Sequence, residues 1–571
     1  MNRMMWKMPR AVFLLALALI CVVLQVPLVF WGAELCDAGF YLTFYQNFFD
    51  APESVSYNFM YWLSGLIGAI WTKVFPGMAA MRVAGLLANT GCALLLATIF
   101  SVRRYRPWVV AGTLLCLCGQ WQLPLTLSYD MITALLTLVG LLLLTRALTG
   151  GNLRRASWIM LAAGVVIGAN TFTRIPNVAG ILYILLIPIV ISIFQRRGAG
   201  LLSAVFAAGW LAGICLILAL MAAMGHLQIF IANMQELFGV AAQGSEASHG
   251  FGPLVAAQIS AWKWVLSECF VLIFLGLLTL AARRGMNNRI VRRITLAVIG
   301  LLLLYIFYKA RVITSAVSLV LVGVVLATIT GGRSLRSGAW AGLAMMLIFP
   351  LGSDGGLFNN STYILWCACV PGLYGYRSFA KRFVPAWERG AGIASICYTL
   401  AIVLLAMAQA AIGGVYFDTV KPLQASGTIP APLTSGIRTS QQTATAIEET
   451  LKGVEKGAGP GEKILIFGSA PLLHYLSETQ PAIGNSWPEQ LSAEMLGEQL
   501  RERMQGAPVL LVKYPTIGGT GKPSDDFLYG RAPYSDIYHN AKKTGVLLQY
   551  LGEEGYSTAT ETPLYILFTK Q

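Results

Sequence analysis

Long apolar runs separated by short basic connections occupy most of the first 413 residues. A run of about 20 apolar residues is long enough to cross a bilayer as a helix. A helix also satisfies its own backbone hydrogen bonds, which lipid cannot do. The pattern therefore predicts a polytopic α-helical membrane protein with about 13 transmembrane helices, near residues 11–30, 79–100, 107–123, 128–148, 157–173, 176–195, 200–224, 257–282, 294–308, 313–330, 338–351, 362–376 and 391–413.

Basic residues in alternate connections predict the orientation. Six connections that fall on the same side each carry at least two basic residues, at 103–106, 146–155, 196–197, 283–293, 333–336 and 377–389. Lys and Arg concentrate in cytoplasmic loops, so we expect a multi-pass protein of the bacterial inner membrane with a cytoplasmic N-terminus. The first apolar run exceeds the roughly 7–15 residues of a secretory signal core, which predicts a retained helix.

Composition and charge agree with a membrane location. Of the 571 residues, 56% are apolar and 12% are charged, whereas soluble domains have about 25% charged residues. The formal charge of +15 arises before residue 414, where 28 basic residues accompany 10 acidic ones. Because this excess follows the membrane connections, it does not predict nucleic-acid binding. The ten cysteines contain no C-x-x-C pair, so no disulfide framework is expected.

The pattern divides the chain into three parts. Residues 1–417 form the transmembrane domain, with a first exterior loop at 31–78 whose aromatic-rich stretches, 38–49 and 57–75, predict interfacial helices. Residues 418–445 are rich in Pro, Ser, Thr and Gly and predict a linker. Residues 446–571 alternate strand and helix signals, which predicts a periplasmic α/β domain.

Carboxylates gather on the predicted outer face, where acid–base chemistry needs them. Glu34 and Asp37 follow the first helix, and Asp130 opens the fourth. Either aspartate could instead be a helix N-cap, and Glu34 could be a solvated loop charge.

Four cations on the same face are informative because the positive-inside rule places Lys and Arg elsewhere. They are Arg82, Arg174, Lys309 and Arg311. Such groups bind lipid phosphates, although snorkelling towards lipid headgroups is an open alternative.

Two further features have weaker support. Glu236, Glu246 and His249 could bind a divalent metal ion, but their spacing matches no fixed motif and residues 226–253 are predicted to form a loop. Gly468 and Ser469 follow a predicted strand and open a helix, and a helix N-terminus can bind an anion.

The first exterior loop contains the sequence Asp37-Ala38-Gly39-Phe40-Tyr41, which resembles the GT-C superfamily of membrane glycosyltransferases. Members of that superfamily often carry D-E-G-x-Y after their first helix. Ala38 replaces the second acid, which Glu34 could supply from one helical turn away. Ser128-Tyr129-Asp130 is similar to the family's R-P-D pattern, with tyrosine in place of proline.

The order of the parts also resembles that of GT-C mannosyltransferases and aminoarabinose transferases. The resemblance implies inverting transfer of a sugar from a polyprenyl-phosphate carrier to a lipid, glycan or protein acceptor on the periplasmic side. It implies Asp37 or Glu34 as general base, with Asp130 in the same site. Tyr41 and the four outer cations then contact substrate, and a divalent metal ion is the one cofactor to consider.

Two other functions remain open at this point. One is a transporter or flippase for a lipid-linked glycan, although no clear internal repeat of the kind that transporters show is visible. The other is an O-antigen-type polymerase or ligase, which is expected to rely on exterior arginines rather than an acidic first loop.

Overall fold

Helices account for most of the described chain. The computed structural model describes residues 8–570 except 122–124, 244–250, most of 285–311, 354–356, 358–359, 414–424 and 515–540. Up to residue 413 the α-helices are α1 Arg10–Phe30, α2 Asp37–Asn47, α3 Trp62–Val74, α4 Met78–Ile99, α5 Arg106–Cys118, α6 Tyr129–Thr149, α7 Leu153–Ala169, α8 Leu186–Phe194, α9 Ala199–Ala223, α10 Leu227–Gln243, α11 Phe251–Arg284, α12 Val312–Thr330, α13 Arg333–Ile348, α14 Ser361–Phe383 and α15 Glu388–Gly413.

Length and hydropathy make this a multi-pass membrane protein. Eight of the described helices are long and apolar enough to cross a bilayer. The 21 residues of α1 rise about 31 Å at about 1.5 Å per residue, which matches a hydrocarbon core of about 30 Å. The predicted total of 13 stays a prediction, because the stretch 294–308 lies largely outside the described residues.

Small residues allow neighbouring membrane helices to pack closely. Gly164 and Gly168 of α7 face Gly209 and Gly213 of α9, and a Cβ atom on any of the four would lie 2.1–2.3 Å from a backbone oxygen of the other helix. Apolar side chains gain little by leaving lipid, so close backbone contact supplies much of the attraction between such helices. Helices α7 and α9 therefore pack closely at glycines that are spaced four residues apart on each helix.

The first exterior loop is helical, as predicted. Its helix α2 is buried, whereas α3 exposes the apolar side chains of Ile67, Ile70 and Val74, so an interfacial position of α3 stays a prediction. The loop contains α2, a 3-10 segment at Pro52–Tyr61, and α3. In α2 the side chains of Phe40, Leu42 and Phe44 are at most 3% exposed. The C-terminal domain covers this loop, so we call the side on which both lie the loop face.

The prediction of a loop at residues 226–253 is wrong for the first half of that segment. Helix α10 covers Leu227–Gln243, and its apolar residues recur at helical spacing from Leu227 through Phe230 to Met234. It packs against the 3-10 segment, where Asn233 Nδ2 donates a hydrogen bond to Tyr57 O at 3.2 Å. Short polar stretches within residues 226–253 obscured this period.

The C-terminal domain is α/β, as predicted. Its elements are α16 Gln441–Gly457, β1 Lys463–Phe467, α17 Leu472–Ser477, β2 Gln480–Pro481, α18 Ala493–Arg503, β3 Val509–Val512, α19 Ala541–Glu553, β4 Tyr556–Glu561 and β5 Tyr565–Lys570. The five strands form one sheet in the order β2-β1-β3-β5-β4, with β1 and β3 parallel and β3 and β5 antiparallel. Helix α16 begins before the predicted domain boundary at residue 446.

Candidate active site

Glu34 caps the helix that begins with Asp37. Its carboxylate accepts hydrogen bonds from the backbone N–H groups of Cys36, Asp37 (2.8 Å) and Ala38. The first N–H groups of a helix have no partner within the helix, and Glu34 supplies their acceptor. Glu34 is 2% exposed, so the sequence-based alternative of a solvated loop charge is wrong. Asp37 is half-buried beside it.

The environment of Glu34 favours its protonated form. Burial, and after it the nearby Asp37 carboxylate, raise the pKa of Glu34 to about 8, although the three amide donors act in the opposite direction. A carboxyl with this pKa holds its proton through most of the neutral range. Of the two acids in the loop, Asp37 is therefore better suited to accept a proton.

Tyrosine rings connect Asp37 with Asp130. Tyr129 stacks on Tyr61 with ring centroids 4.0 Å apart, and it meets Tyr41 edge-to-face at 5.4 Å. Burial raises the pKa of Tyr41 well above its usual value, and the Asp37 and Asp130 carboxylates raise it further. The structure therefore brings Asp37, Asp130 and Tyr41 into one site, and the Tyr41 hydroxyl keeps its proton for donation.

Arg174 fixes Asp130 in this site. Its Nη1 lies 3.1 Å from Asp130 Oδ1 and 3.2 Å from Asn360 Oδ1. Its Nη2 donates to the carbonyls of Phe349 and Leu351, the latter at 2.9 Å. With 4% of its surface exposed, Arg174 ties together the ends of four segments of the membrane domain.

Arg82 also donates to protein acceptors. Its guanidinium contacts the carbonyl oxygens of Val29, Trp31 and Gly32 at 2.7–3.3 Å. The last carbonyls of a helix need external donors, and Arg82 supplies them at the end of α1. Thus Arg82 anchors the start of the acidic loop, Arg174 anchors Asp130, and binding of phosphate by either one stays a prediction. Lys309 and Arg311 lie outside the described residues.

The C-terminal domain presses directly against the helix that carries Asp37. The N–H of Leu472 donates to Leu35 O at 3.0 Å, and Thr43 Oγ1 donates to Pro471 O at 2.9 Å. A Cβ atom on Gly39 would lie 2.1 Å from Leu472 N. Gly39, part of the motif that resembles GT-C enzymes, is therefore required by the close approach of α17 to α2.

The turn at Gly468 and Ser469, which could bind an anion, binds a carboxylate of the protein itself. Both backbone N–H groups donate to Glu489 Oε1, Ser469 at 2.7 Å. Glu489 is fully buried. The Glu489 carboxylate thus fills the anion site of this turn. It also anchors the end of the strand, next to the segment that contacts α2.

Metal ligands are not assembled among the residues that the structure describes. No group of three His, Cys, Asp or Glu side chains is found there. Glu34 uses its oxygens on backbone amides, Asp130 pairs with Arg174, and Glu236 contacts Gln499 and Arg503. These contacts do not fit a metal site. Glu246 and His249 lie outside the described residues, so the expected metal stays a prediction.

Several residues of the site were not identified from the sequence. Tyr61 lies in the aromatic stretch of the first loop, Asn360 precedes α14, and Tyr363 lies near Tyr41, whose pKa it raises. Their chain positions are far apart, and Asn360 is 186 residues from its partner Arg174. The one available signal was the enrichment of tyrosine near predicted outer helix ends.

The fold and site define a multi-pass membrane protein with a carboxylate-bearing first loop under an α/β domain. Solved structures of similar architecture are those of ArnT from Cupriavidus metallidurans bound to undecaprenyl phosphate and of the oligosaccharyltransferase from Archaeoglobus fulgidus with Zn and sulfate. The first has 13% identity and a TM-score of 0.42, covering 98% of this chain and 97% of that one. The second has 14% identity and a TM-score of 0.46, covering 97% and 72%.

No protein-family model and no curated protein matches the chain. At these identities and TM-scores the likeness assigns neither a donor nor an acceptor. The residues of the site are therefore the basis on which a function is proposed.

Proposed function

We propose that this protein is an inverting glycosyltransferase of the bacterial inner membrane. It takes a sugar from a polyprenyl-phosphate carrier and transfers it to a lipid, glycan or protein acceptor on the periplasmic side. The observation that carries the proposal is the convergence of Asp37, Asp130 and Tyr41 on the loop face. In the proposed orientation, carboxylates on this face meet both a lipid-borne sugar and an acceptor from the aqueous side.

The chemistry requires a base and compensation for phosphate charge. The acceptor hydroxyl oxygen forms a bond to the anomeric carbon, its proton passes to Asp37, and the bond from that carbon to the phosphate oxygen breaks. The electron pair leaves with the polyprenyl phosphate, which is already a stable anion, so no general acid is needed. Glu34, held protonated beside Asp37, orients the start of α2 and keeps a second negative charge away from the base.

The donor phosphate needs cations. Arg82 and Arg174 donate to carbonyls and to Asp130, so we assign the phosphate to Lys309 and Arg311. This part of the proposal rests on their sequence positions on the predicted outer face. Replacing both with glutamine is expected to raise the KM for the donor while the protein remains folded.

The test is transfer in a defined membrane. The purified chain is reconstituted in liposomes with a panel of radiolabelled polyprenyl-phosphate sugars and an extract of envelope lipids and glycans. We expect a labelled product together with an equal amount of released polyprenyl phosphate. Movement of a lipid-linked glycan across the bilayer without a covalent product would instead establish the transporter function, and products that require pyrophosphate-linked glycans would establish a polymerase or ligase.

A further inference from the structure

A second cavity opens on the loop face, away from the Asp37–Asp130 pair. It lies between residues 50–56 of the first loop, α10, and the C-terminal domain around residues 480–484 and 502–505, with a volume of about 590 Å³. Sites for small ligands measure roughly 300–1,000 Å³. The space is therefore large enough for a short oligosaccharide.

The walls of this cavity are rich in hydrogen-bond acceptors. Asp50, Glu53, Glu236 and Glu502 supply four carboxylates, against two cations, Lys463 and Arg503. Arg503 is already engaged with Ser56 Oγ at 3.0 Å and lies 3.8 Å from Glu236. Glu53 and Glu502 are exposed. Asp50 pairs with Lys73 at 3.4 Å, which leaves Glu53 and Glu502 against Lys463. This small excess of negative charge favours a ligand that donates hydrogen bonds and disfavours an anion.

A buried amide gives an independent sign of a ligand. Asn233 lines the cavity and is 2% exposed. Its Nδ2 donates to Tyr57 O, whereas its Oδ1 has no hydrogen-bond partner among the described residues. An unsatisfied buried acceptor is destabilising, and a ligand hydroxyl or ammonium group in the cavity would satisfy it.

Tyr57 connects this cavity with the candidate active site. Its N–H donates to Gly484 O at 3.0 Å, and its ring meets that of Phe40 edge-to-face at 6.5 Å. Phe40 lies on the first turn of α2, which begins with Asp37. The contacts of Tyr57 with Gly484 and with Phe40 thus link the cavity wall to the first turn of α2.

We propose that this cavity is a subsite for the carbohydrate part of the acceptor, selecting neutral or amino-substituted glycans over phosphorylated or carboxylated ones. The inference rests on the proposed glycosyltransferase function and adds the chemical class of the acceptor. Asn233 Oδ1, Glu53 and Glu502 accept hydrogen bonds from sugar hydroxyl or ammonium groups. Acidic glycans are repelled by the same carboxylates.

Calorimetric binding by the full chain in lipid nanodiscs, without donor, tests the subsite. The probes are three trisaccharides: glucosamine trisaccharide, which is cationic, its neutral N-acetylated form, and trigalacturonate, which is anionic. We expect the cationic probe to bind most tightly, the neutral probe next, and the anionic probe not at all. Equal or tighter binding of trigalacturonate, or no binding of any probe, would overturn the proposal.

Variants separate the subsite from a general surface effect. The double change Glu53→Gln and Glu502→Gln is expected to weaken the cationic probe by about tenfold, as loss of about 1.4 kcal/mol implies, and to change the neutral probe less. Glu498→Gln, one turn earlier on α18 and outside the cavity, is the matched control with unchanged binding. An equal loss in the control would contradict the proposal.

Failure of the subsite and failure of the transferase are distinguishable. Asp37→Asn is expected to retain probe binding while losing sugar transfer. Binding that is absent while transfer persists would overturn only the subsite. Binding that obeys the charge order in a chain that transfers no sugar would overturn only the enzyme assignment, leaving a glycan-binding membrane protein.

Discussion

The chemistry of the candidate site depends on a difference between the environments of two neighbouring carboxyl groups, those of Glu34 and Asp37. Glu34 is buried against three backbone amides, and its pKa is raised to about 8. Asp37, at the first position of α2, is half-buried and faces the tyrosine cluster around Asp130. Environments that separate the protonation of paired acids are typical of sites with distinct acid and base roles. We infer that Glu34 positions the start of α2 and that Asp37 acts as the general base.

The raised pKa of Glu34 predicts a pH dependence of stability. An unfolded glutamate releases its proton near its usual value of 4.5, whereas folded Glu34 retains it up to a pH of about 8. The folded state binds the extra proton between these values, so stability falls as pH rises through that window. Thermal unfolding in nanodiscs should therefore show a larger loss of Tm between pH 5 and 8.5 for wild type than for Glu34→Gln.

Glu34→Gln also separates the two candidate bases. Because glutamine resembles the protonated acid, the variant is expected to keep most of its transfer activity at pH 7. Loss of activity as severe as that of Asp37→Asn would identify Glu34 as the base. An unchanged pH dependence of Tm in the variant would contradict the burial argument.

Arg174 has a positioning role that predicts a stability effect. Arg174→Gln removes the ion pair to Asp130 and the donors to the carbonyls of Phe349 and Leu351. Removing one partner of a buried ion pair costs about 3–5 kcal/mol. We expect a clear fall in Tm together with reduced transfer, whereas Arg154→Gln, an exposed residue at the start of α7, leaves both unchanged. A normal Tm for Arg174→Gln would contradict this role.

At the scale of elements, the contact between α2 and α17 determines where Asp37 lies. Helix α17 belongs to the C-terminal domain, and Thr43 on α2 bonds a residue 428 positions away. The covering domain is thus part of the scaffold of the site. Its strand β1 ends at the turn that Glu489 holds, which fixes the start of α17.

Because α2 and α17 lie so close together, replacing glycine with alanine is expected to have opposite effects on Tm at two positions. Gly39→Ala places a methyl group against Leu472 N and should lower both Tm and transfer. Gly545→Ala in α19 meets nothing within 4 Å, and alanine in a helix interior is favoured over glycine by about 1 kcal/mol. Equal effects at the two positions would contradict tight docking of α17 on α2.

The sequence predicted the positions of the helices more accurately than it predicted the contacts within the candidate site. The run predicted at 79–100 is α4 at Met78–Ile99, and that at 128–148 is α6 at Tyr129–Thr149, because length and hydropathy are local properties. The pair Asp130–Arg174 and the stacking of Tyr61 on Tyr129 depend on how helices meet, which no local pattern records. The motif near Asp37 identified the reactive loop, but Arg82 and Arg174 looked like free phosphate ligands until their carbonyl partners were visible.

At the scale of the whole molecule, four parts of the chain lie on one face. They are the first loop, the start of α6, the turn after α7 and the C-terminal domain. The second cavity lies on the same face. Donor, acceptor and covering domain therefore share a common aqueous side in our proposal, while the basic connections lie on the other.

Cysteine labelling checks this orientation. Glu494→Cys in α18 and Gly151→Cys between α6 and α7 both place an exposed thiol on the surface. In intact cells a small impermeant maleimide should label the first and not the second, which becomes reactive after permeabilisation. The wild-type chain, whose cysteines are mostly buried, provides the background. The reverse labelling pattern would contradict a periplasmic C-terminal domain.

The central claim is that Asp37 accepts the proton of the acceptor hydroxyl, and single-turnover transfer by Asp37→Asn tests it most directly. The variant is compared with wild type and with Glu494→Gln in the same liposomes, using a labelled polyprenyl-phosphate sugar that wild type accepts. General bases contribute about 10²–10⁴-fold to rate, so we predict a loss of at least about 100-fold with donor binding retained. Transfer by Asp37→Asn at the rate of Glu494→Gln would contradict the account.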